Sequence, residues 1–175
     1  MLKKLEMDYL SIKQINPIVK NNFEDICFKG GKLVNSKVEG FSIDLANMLE
    51  CGIVLFGPPP SQIIPSFDKK LLDEALHDKF NHIKRNSPKW IKKDFWNQTF
   101  VIIQLCRIIY SKQNRNKPVS KKKAATWCLK NVPSEFKTII KTAIAGIDNW
   151  EKPINENMLE KIPKLINYTE KLLRV

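Results

Sequence analysis

Glu6 and Asp8 are the first residues in the sequence whose types and spacing could support chemistry. They lie two residues apart in a segment, 5–12, whose alternating pattern predicts a β-strand, so both carboxylates project from the same face. Such a pair can bind a divalent cation, or one member can act as a general base. Charged residues also protect an edge strand from unwanted pairing, so a purely structural interpretation of the pair stays open.

Two cations are placed where an ordinary helix would not carry them. Arg107 interrupts the apolar stretch 100–110, and its guanidinium needs either a carboxylate or a phosphate partner because burying it unpaired is costly. Lys121 begins a predicted helix, together with Lys122 and Lys123, at the end where the helix dipole favours anions. These lysines indicate either a docked phosphate or a solvated basic face.

Aromatic residues add a third candidate site. Trp90 and Trp96 lie on either side of a predicted helix start and either line a cleft for a sugar-like or planar ligand or simply pack. The four cysteines contain no Cys-x-x-Cys pair, and the common nucleotide-loop, hydrolase and zinc-protease motifs do not occur. The sequence therefore assigns no metal site.

Length and charge limit the classes of protein to which the chain can belong. Its 175 residues are enough for one domain or two small ones, and 43% of them are hydrophobic. No run of 18 apolar residues occurs, which excludes a membrane span, and the absence of a leader pattern predicts the cytoplasm. A net charge of +12 fits nucleic acid, an anionic surface, a phosphate-bearing ligand or a solvated basic surface.

The elements that must position these residues fall into two parts. After residue 68 the apolar positions follow the helical period and predict five helices joined by short polar turns, which is typical of an antiparallel bundle. Their predicted bounds are about 69–85, 92–112, 120–130, 133–148 and 156–172. The preceding part is predicted to contain the strand at 5–12, an irregular connection at 14–40, a short helix at 43–51 and a short buried extended run at 53–56.

The predicted fold class is therefore mainly α, with an antiparallel C-terminal bundle of about five helices. A small α/β remnant with one or two short strands precedes the bundle. The Gly-Pro-Pro-Pro sequence at 57–60 cannot continue a helix or a central strand. We place the domain boundary soon after it, which divides the chain into residues 1–66 and 67–175.

Four segments, taken in order, resemble the family of aminoglycoside adenylyltransferases that modify streptomycin and spectinomycin. They are DLANML at 44–49, VLFGP at 54–58, LCRIIYS at 105–111 and SKKKAATW at 120–127. The resemblance implies an N-terminal nucleotidyltransferase domain and a C-terminal helical bundle. It also implies ATP and magnesium as cofactors, and transfer of AMP to a hydroxyl of an aminoglycoside or aminocyclitol drug in the cleft between the domains.

The resemblance also implies roles for individual residues. Glu6 matches the carboxylate that acts as general base on the acceptor hydroxyl, and Arg107 and Lys121 match the helical-domain cations that contact the nucleotide phosphates. We take Asp94 and Asn97, just before the central helix, together with Trp90 of the possible cleft, as the candidate acceptor-binding residues. Where streptomycin-modifying members have acidic drug-binding residues, this chain has Lys93 and Asn97. Because a cationic drug favours carboxylates, this difference argues against specificity for streptomycin.

One departure from the family pattern decides the functional expectation. The Gly-Ser pair followed by Asp-x-Asp, which binds the metals in the family, has no counterpart among the 175 residues. We therefore expect an N-terminally incomplete member that does not transfer AMP by itself. The alternative is a non-enzymatic basic helical module that binds nucleotide, nucleic acid or a protein partner. If Arg107 and Lys121 contact nucleotide phosphates, however, nucleic-acid binding is not needed to explain the positive charge. An exposed strand edge near residues 5–12 would favour a homodimer.

Overall fold

A computed structural model describes residues 7–9, 24–29, 32–37, 41–66, 69–115, 117–147 and 152–174. The chain divides into two compact units, Met1–Ala75 and Leu76–Val175. Glu6 lies outside the described residues, as do the ends of the strand predicted at 5–12.

The first unit contains a three-stranded antiparallel sheet. Its strands are β1 (Met7–Tyr9), β2 (Glu24–Lys29) and β3 (Lys32–Lys37), in the order β1-β2-β3. The prediction of an irregular connection at 14–40 is wrong over β2 and β3, and the count of one or two strands is one too low. Charged residues at both ends of β2 obscure the alternating apolar pattern of Ile26 and Phe28 in the sequence. In the structure Lys29 pairs with Lys32, so two residues separate the strands, which is the spacing of a tight hairpin.

Helix α1 (Phe41–Cys51) follows the sheet and ends where the N–H of Gly52 donates to the carbonyl of Met48 at 2.9 Å. Its buried face carries Ile43, Leu45 and Ala46. The prediction of a short buried extended run at 53–56 is wrong, because these residues are exposed and have no regular structure. An apolar run carries the same sequence pattern whether or not a neighbouring strand is there to cover it.

Five helices make up the rest of the described chain, as the helical period predicts. They are α2 (Lys69–Trp90), which begins in the first unit, α3 (Phe95–Gln113), α4 (Lys121–Asn131), α5 (Ser134–Gly146) and α6 (Glu156–Leu173). Helix α3 packs against α4, α5 and α6. The predicted mainly α fold with a C-terminal helical bundle is confirmed, and no helix among the described residues is both long and apolar enough to cross a membrane.

Two boundaries differ from the prediction for local reasons. Helix α2 continues to Trp90 and includes Pro88, which was predicted to lie beyond its end. Proline has no N–H to donate to the carbonyl of Lys84, and the hydroxyl of Ser87 donates to that carbonyl at 3.3 Å. Helix α3 begins at Phe95, later than predicted, because the carboxylate of Asp94 caps it by accepting from the N–H of Asn97 at 2.7 Å.

A buried glutamine connects α3 to the start of α6. The amide nitrogen of Gln98 donates to the carbonyl of Asn155 at 3.2 Å, and the N–H of Asn155 donates to the amide oxygen of Gln98 at 2.9 Å. The side chain of Asn155 in turn caps α6 by accepting from the N–H of Met158 at 3.0 Å. One fully buried side chain therefore satisfies both backbone groups of the residue that caps a neighbouring helix.

Replacing Gln98 by leucine should destabilise the protein by about 1–3 kcal/mol, because the N–H of Asn155 loses its partner and the carbonyl of Asn155 keeps only the N–H of Leu159. Urea unfolding followed by circular dichroism measures the change in the free energy of unfolding. Gln113→Leu, an exposed change at the end of the same helix, is the control and should shift stability by less than about 0.5 kcal/mol. Equal effects of the two variants would contradict this role of Gln98.

The pH dependence of stability should contain a contribution from Glu170. Its carboxylate accepts from Lys84 at 2.8 Å and from Arg174 at 2.7 Å, and these hydrogen bonds lower the pKa of Glu170 below its usual value. A carboxylate whose pKa is lower in the folded state stabilises the protein at pH values above its unfolded-state pKa. This stabilisation is lost as the pH falls through the folded-state pKa. In urea unfolding measured at several pH values, Glu170→Gln should therefore have a lower free energy of unfolding than the parent protein at neutral pH. The two values should converge in acid, where Glu170 is protonated.

Candidate functional site

A cavity of about 70 Å³ lies where α3, the start of α4 and the end of α5 meet. The residues that line it combine aromatic and aliphatic side chains with a hydroxyl, an amide and one ammonium group. They are Trp96, Thr99, Phe100, Ile103, Gln104, Lys121, Gly146 and Ile147. Apolar walls with a few convergent polar groups are typical of a small-ligand site.

Gln104 joins the two cations that the sequence singled out. Arg107 donates from Nη1 to the side-chain oxygen of Gln104 at 3.3 Å and from Nε to the carbonyl of Val119 at 3.2 Å. Gln104 also lines the cavity together with Lys121. The half-buried guanidinium is thus attached to the segment that leads into α4, and its partner Gln104 lines the same cavity as Lys121.

The first turn of α4 is basic and capped. Ser120 accepts from the N–H of Lys123 at 3.4 Å, which confirms the predicted cap. Lys121, Lys122 and Lys123 are all exposed, and of the three only Lys121 lines the cavity. The free N–H groups of a first helical turn and a neighbouring ammonium group together attract anions.

Thr99 and Gly146 form the wall of the cavity on the side of α5. The hydroxyl of Thr99 is buried, the residue being 5% exposed, and has no hydrogen-bond partner within the described part of the chain. A Cβ atom at Gly146 would lie 2.7 Å from that hydroxyl oxygen and 2.7 Å from a ring carbon of Phe95. The glycine therefore permits the close approach of α5 to α3. An orphaned buried hydroxyl is costly unless a water or ligand reaches it.

The three predicted acceptor-binding residues lie beside this cavity but do not line it. The ring of Trp90 meets Phe100 edge-on at 5.8 Å, and Phe100 stacks on Trp96 at 5.5 Å. Asn97 donates from its side chain to the Asp94 carboxylate at 2.8 Å. The aromatic cluster therefore connects Trp90 to the cavity wall through Phe100, whereas Asp94 and Asn97 form a pair at the start of α3.

The described residues offer no set of ligands for magnesium. Within the described ranges no group of three His, Cys, Asp or Glu residues could hold a metal ion. Together with the missing Asp-x-Asp sequence, the donor set does not fit the two-metal site that the resemblance implies. Cys106 and Cys128 are free and buried. Their mutual hydrogen bond and burial raise the pKa of the Cys106 thiol, so this thiol behaves as a small hydrophobe.

A second cavity, of about 390 Å³, lies between α2 and α6. It is larger, but none of the residues that the sequence singled out lines it, and one of its lysines, Lys84, is paired with Glu170 at 2.8 Å. The smaller cavity is therefore the candidate site.

Comparison with known proteins places these features in a family. Residues 70–171 match the sequence profile of the aminoglycoside adenylyltransferase C-terminal domain. Among solved structures, the chain is similar to the spectinomycin adenyltransferase AAD(9) from Enterococcus faecialis, which was determined with ATP and spectinomycin. The two share 17% sequence identity with a TM-score of 0.67, over 97% of this chain and 68% of the enzyme. No curated protein sequence matches the chain.

Substituting Gly146 by alanine should destabilise the protein, although alanine is intrinsically the better helix former by about 1 kcal/mol. The clash with Phe95 and Thr99 should outweigh that gain and leave a net loss of about 1–3 kcal/mol in thermal or urea unfolding. Ala145→Gly, at the adjacent exposed position, measures the helix-propensity contribution alone. A stabilised Gly146→Ala variant would show that α5 has room to move.

Proposed function

The chain belongs to the family of aminoglycoside adenylyltransferase C-terminal domains, and on that premise we propose that it binds the phosphates of ATP through Lys121 and Arg107. In the cell this role would be exercised in the cytoplasm. The observation that carries the proposal is that Arg107 donates to Gln104, and that Gln104 and Lys121 line the same cavity at the start of α4. Cations fixed in position beside a helix N-terminus are suited to a chain of negatively charged phosphates.

The acceptor side of the site falls on the aromatic cluster. We propose that Trp90, Asp94 and Asn97 lie along the path of an aminoglycoside or aminocyclitol drug, with Glu6 as the general base on its hydroxyl. The stacked pair of Trp96 and Phe100 offers an apolar face for a sugar-like ring, and Asp94 supplies a carboxylate for a cationic amine. The assignment of residues 1–66 to a catalytic-domain remnant and 67–175 to the bundle belongs to the same proposal.

Titration calorimetry with ATP tests the phosphate assignment. Lys121→Ala should weaken ATP binding by about tenfold or more, since hydrogen bonds to charged groups contribute about 1.5–3 kcal/mol each. Arg107→Lys, which keeps the charge but loses the planar pair of donors, should also weaken it. Lys122→Ala makes the same charge change in the same helical turn outside the cavity and should leave the affinity nearly unchanged.

The same titration separates the proposal from its alternative. In a non-enzymatic basic module held to polyanions by its +12 charge, Lys121→Ala and Lys122→Ala would weaken binding equally, and the affinity for short RNA would fall steeply with salt. Equal losses in both variants would therefore remove the specific phosphate site and favour the alternative.

The purified chain should transfer no AMP from ATP to spectinomycin or streptomycin. Phosphoryl-transfer catalysis of this kind depends on carboxylates that hold the metal ions, and the 175 residues contain no Asp-x-Asp sequence. Mass spectrometry of the drug after incubation with ATP and magnesium measures the product. Formation of an adenylylated drug by the chain alone would show that another set of carboxylates performs this role.

A further inference from the structure

The larger of the two cavities, between α2 and α6, takes no part in the proposed function. Its volume is about 390 Å³, which lies within the range of pockets that hold small organic ligands. The described residues that line it belong to the second unit. They occupy positions 84, 87, 88 and 91 on α2 and the turn after it, and positions 159, 163, 166 and 167 on α6, which is the spacing of one face of each helix.

The interior of this cavity is apolar. Ile91 and Ile166 are 5% and 6% exposed, and Leu159 adds a further aliphatic side chain. In the described part of the chain, α2 and α6 are not among the helix pairs whose backbones approach closely, and the ion pair of Lys84 with Glu170 at 2.8 Å bridges them. An apolar gap between two bridged helices can bury the apolar part of a ligand.

Each of the two helices carries a proline at the cavity. Pro88 and Pro163 both lie within their helices, and both line the space between them. A proline inside a helix is costly because it removes a backbone hydrogen bond and crowds the preceding turn. Natural sequences break local rules of this kind mainly at functional sites. The meeting of two such prolines at one cavity therefore supports a role for this space beyond packing.

The charged groups at the cavity favour a ligand with a single negative charge. Two lysines, Lys84 and Lys92, and no acidic residue line it within the described ranges. Glu170 neutralises Lys84, whereas no ion pair between described residues involves the exposed Lys92. One ammonium group is therefore available to a ligand, and a carboxylate matches it better than a doubly charged phosphate does.

We propose that this cavity binds a small amphipathic carboxylate of the fatty-acid type, with its apolar chain between α2 and α6 and its carboxylate at Lys92. The inference goes beyond the proposed function, because ATP and the drug are assigned to residues around the other cavity. A ligand that contacts both helices in the folded state also raises the thermal stability of the protein.

Titration calorimetry of the 175-residue chain with octanoate, below its micelle concentration, tests the proposal. We expect saturable one-to-one binding. Hexanoate should bind about tenfold more weakly or worse, because each buried methylene group changes the affinity about fourfold, and octylammonium should not compete. Lys92→Ala should weaken octanoate binding about threefold or more. Lys93→Ala removes the neighbouring exposed lysine, which does not line the cavity, and should leave the affinity nearly unchanged.

A variant that fills the cavity locates the binding site. Asn167 is exposed and lines the cavity, so Asn167→Trp should obstruct it and weaken octanoate binding about tenfold or more. Asn157→Trp makes the same change at an exposed position of α6 that does not line the cavity, and it should bind octanoate like the parent chain. Far-UV circular dichroism verifies that both variants keep their helices.

Three results would overturn the proposal at this cavity. They are no saturable octanoate binding by the parent chain, binding that Asn167→Trp leaves unchanged, and displacement of octanoate by octylammonium. Equal losses in Lys92→Ala and Lys93→Ala would attribute the binding to the net charge of +12 and would also overturn it. ATP binding should be unchanged in Asn167→Trp, so failure of octanoate to bind leaves the proposed function standing.

Discussion

Burial of α3 on nearly every side is the constraint on which the second unit depends. Thirteen of its nineteen residues are buried, so the polar side chains on it need partners inside the protein, and among the described residues only the hydroxyl of Thr99 lacks one on this helix. Gln98 meets the backbone of Asn155, and Ser111 donates to the carbonyl of Lys117 at 2.7 Å. These bonds determine where the flanking segments begin and end, because each partner is a backbone group of a neighbouring connection.

The same constraint shapes the candidate site. Arg107 lies on α3 and is only half-buried, and its donors reach Gln104 and the carbonyl of Val119 just before α4. The position of Lys121 is therefore coupled to the core through one guanidinium. Replacing Arg107 by alanine would remove one cation and also release the segment that presents Lys121. Arg107→Lys keeps the charge, so it is the more informative of the two substitutions.

Periodicity sufficed to predict the helices but not the contacts that bound them. The apolar repeat identifies all five helices of the bundle. It does not encode the bond from Ser87 to the carbonyl of Lys84 beside Pro88 in α2, or the bond from the N–H of Asn97 to Asp94 that begins α3. The hairpin of β2 and β3 was missed because its charged ends dominate a short strand. At the site, an arginine in an apolar helix was conspicuous, whereas Thr99 and Gln104 are ordinary residues whose significance appears only when α4 and α5 are in place.

The absent side chain of Gly146 links positions that are far apart in the sequence. Because a methyl group there would meet both Phe95 and Thr99, the sizes of these three residues are not independent. A smaller residue at position 99 would remove one of the two clashes that alanine at 146 makes, so the two substitutions together should cost less than the sum of their separate costs. Among related sequences this coupling would be recorded as covariation: a side chain at position 146 should accompany a reduced one on α3.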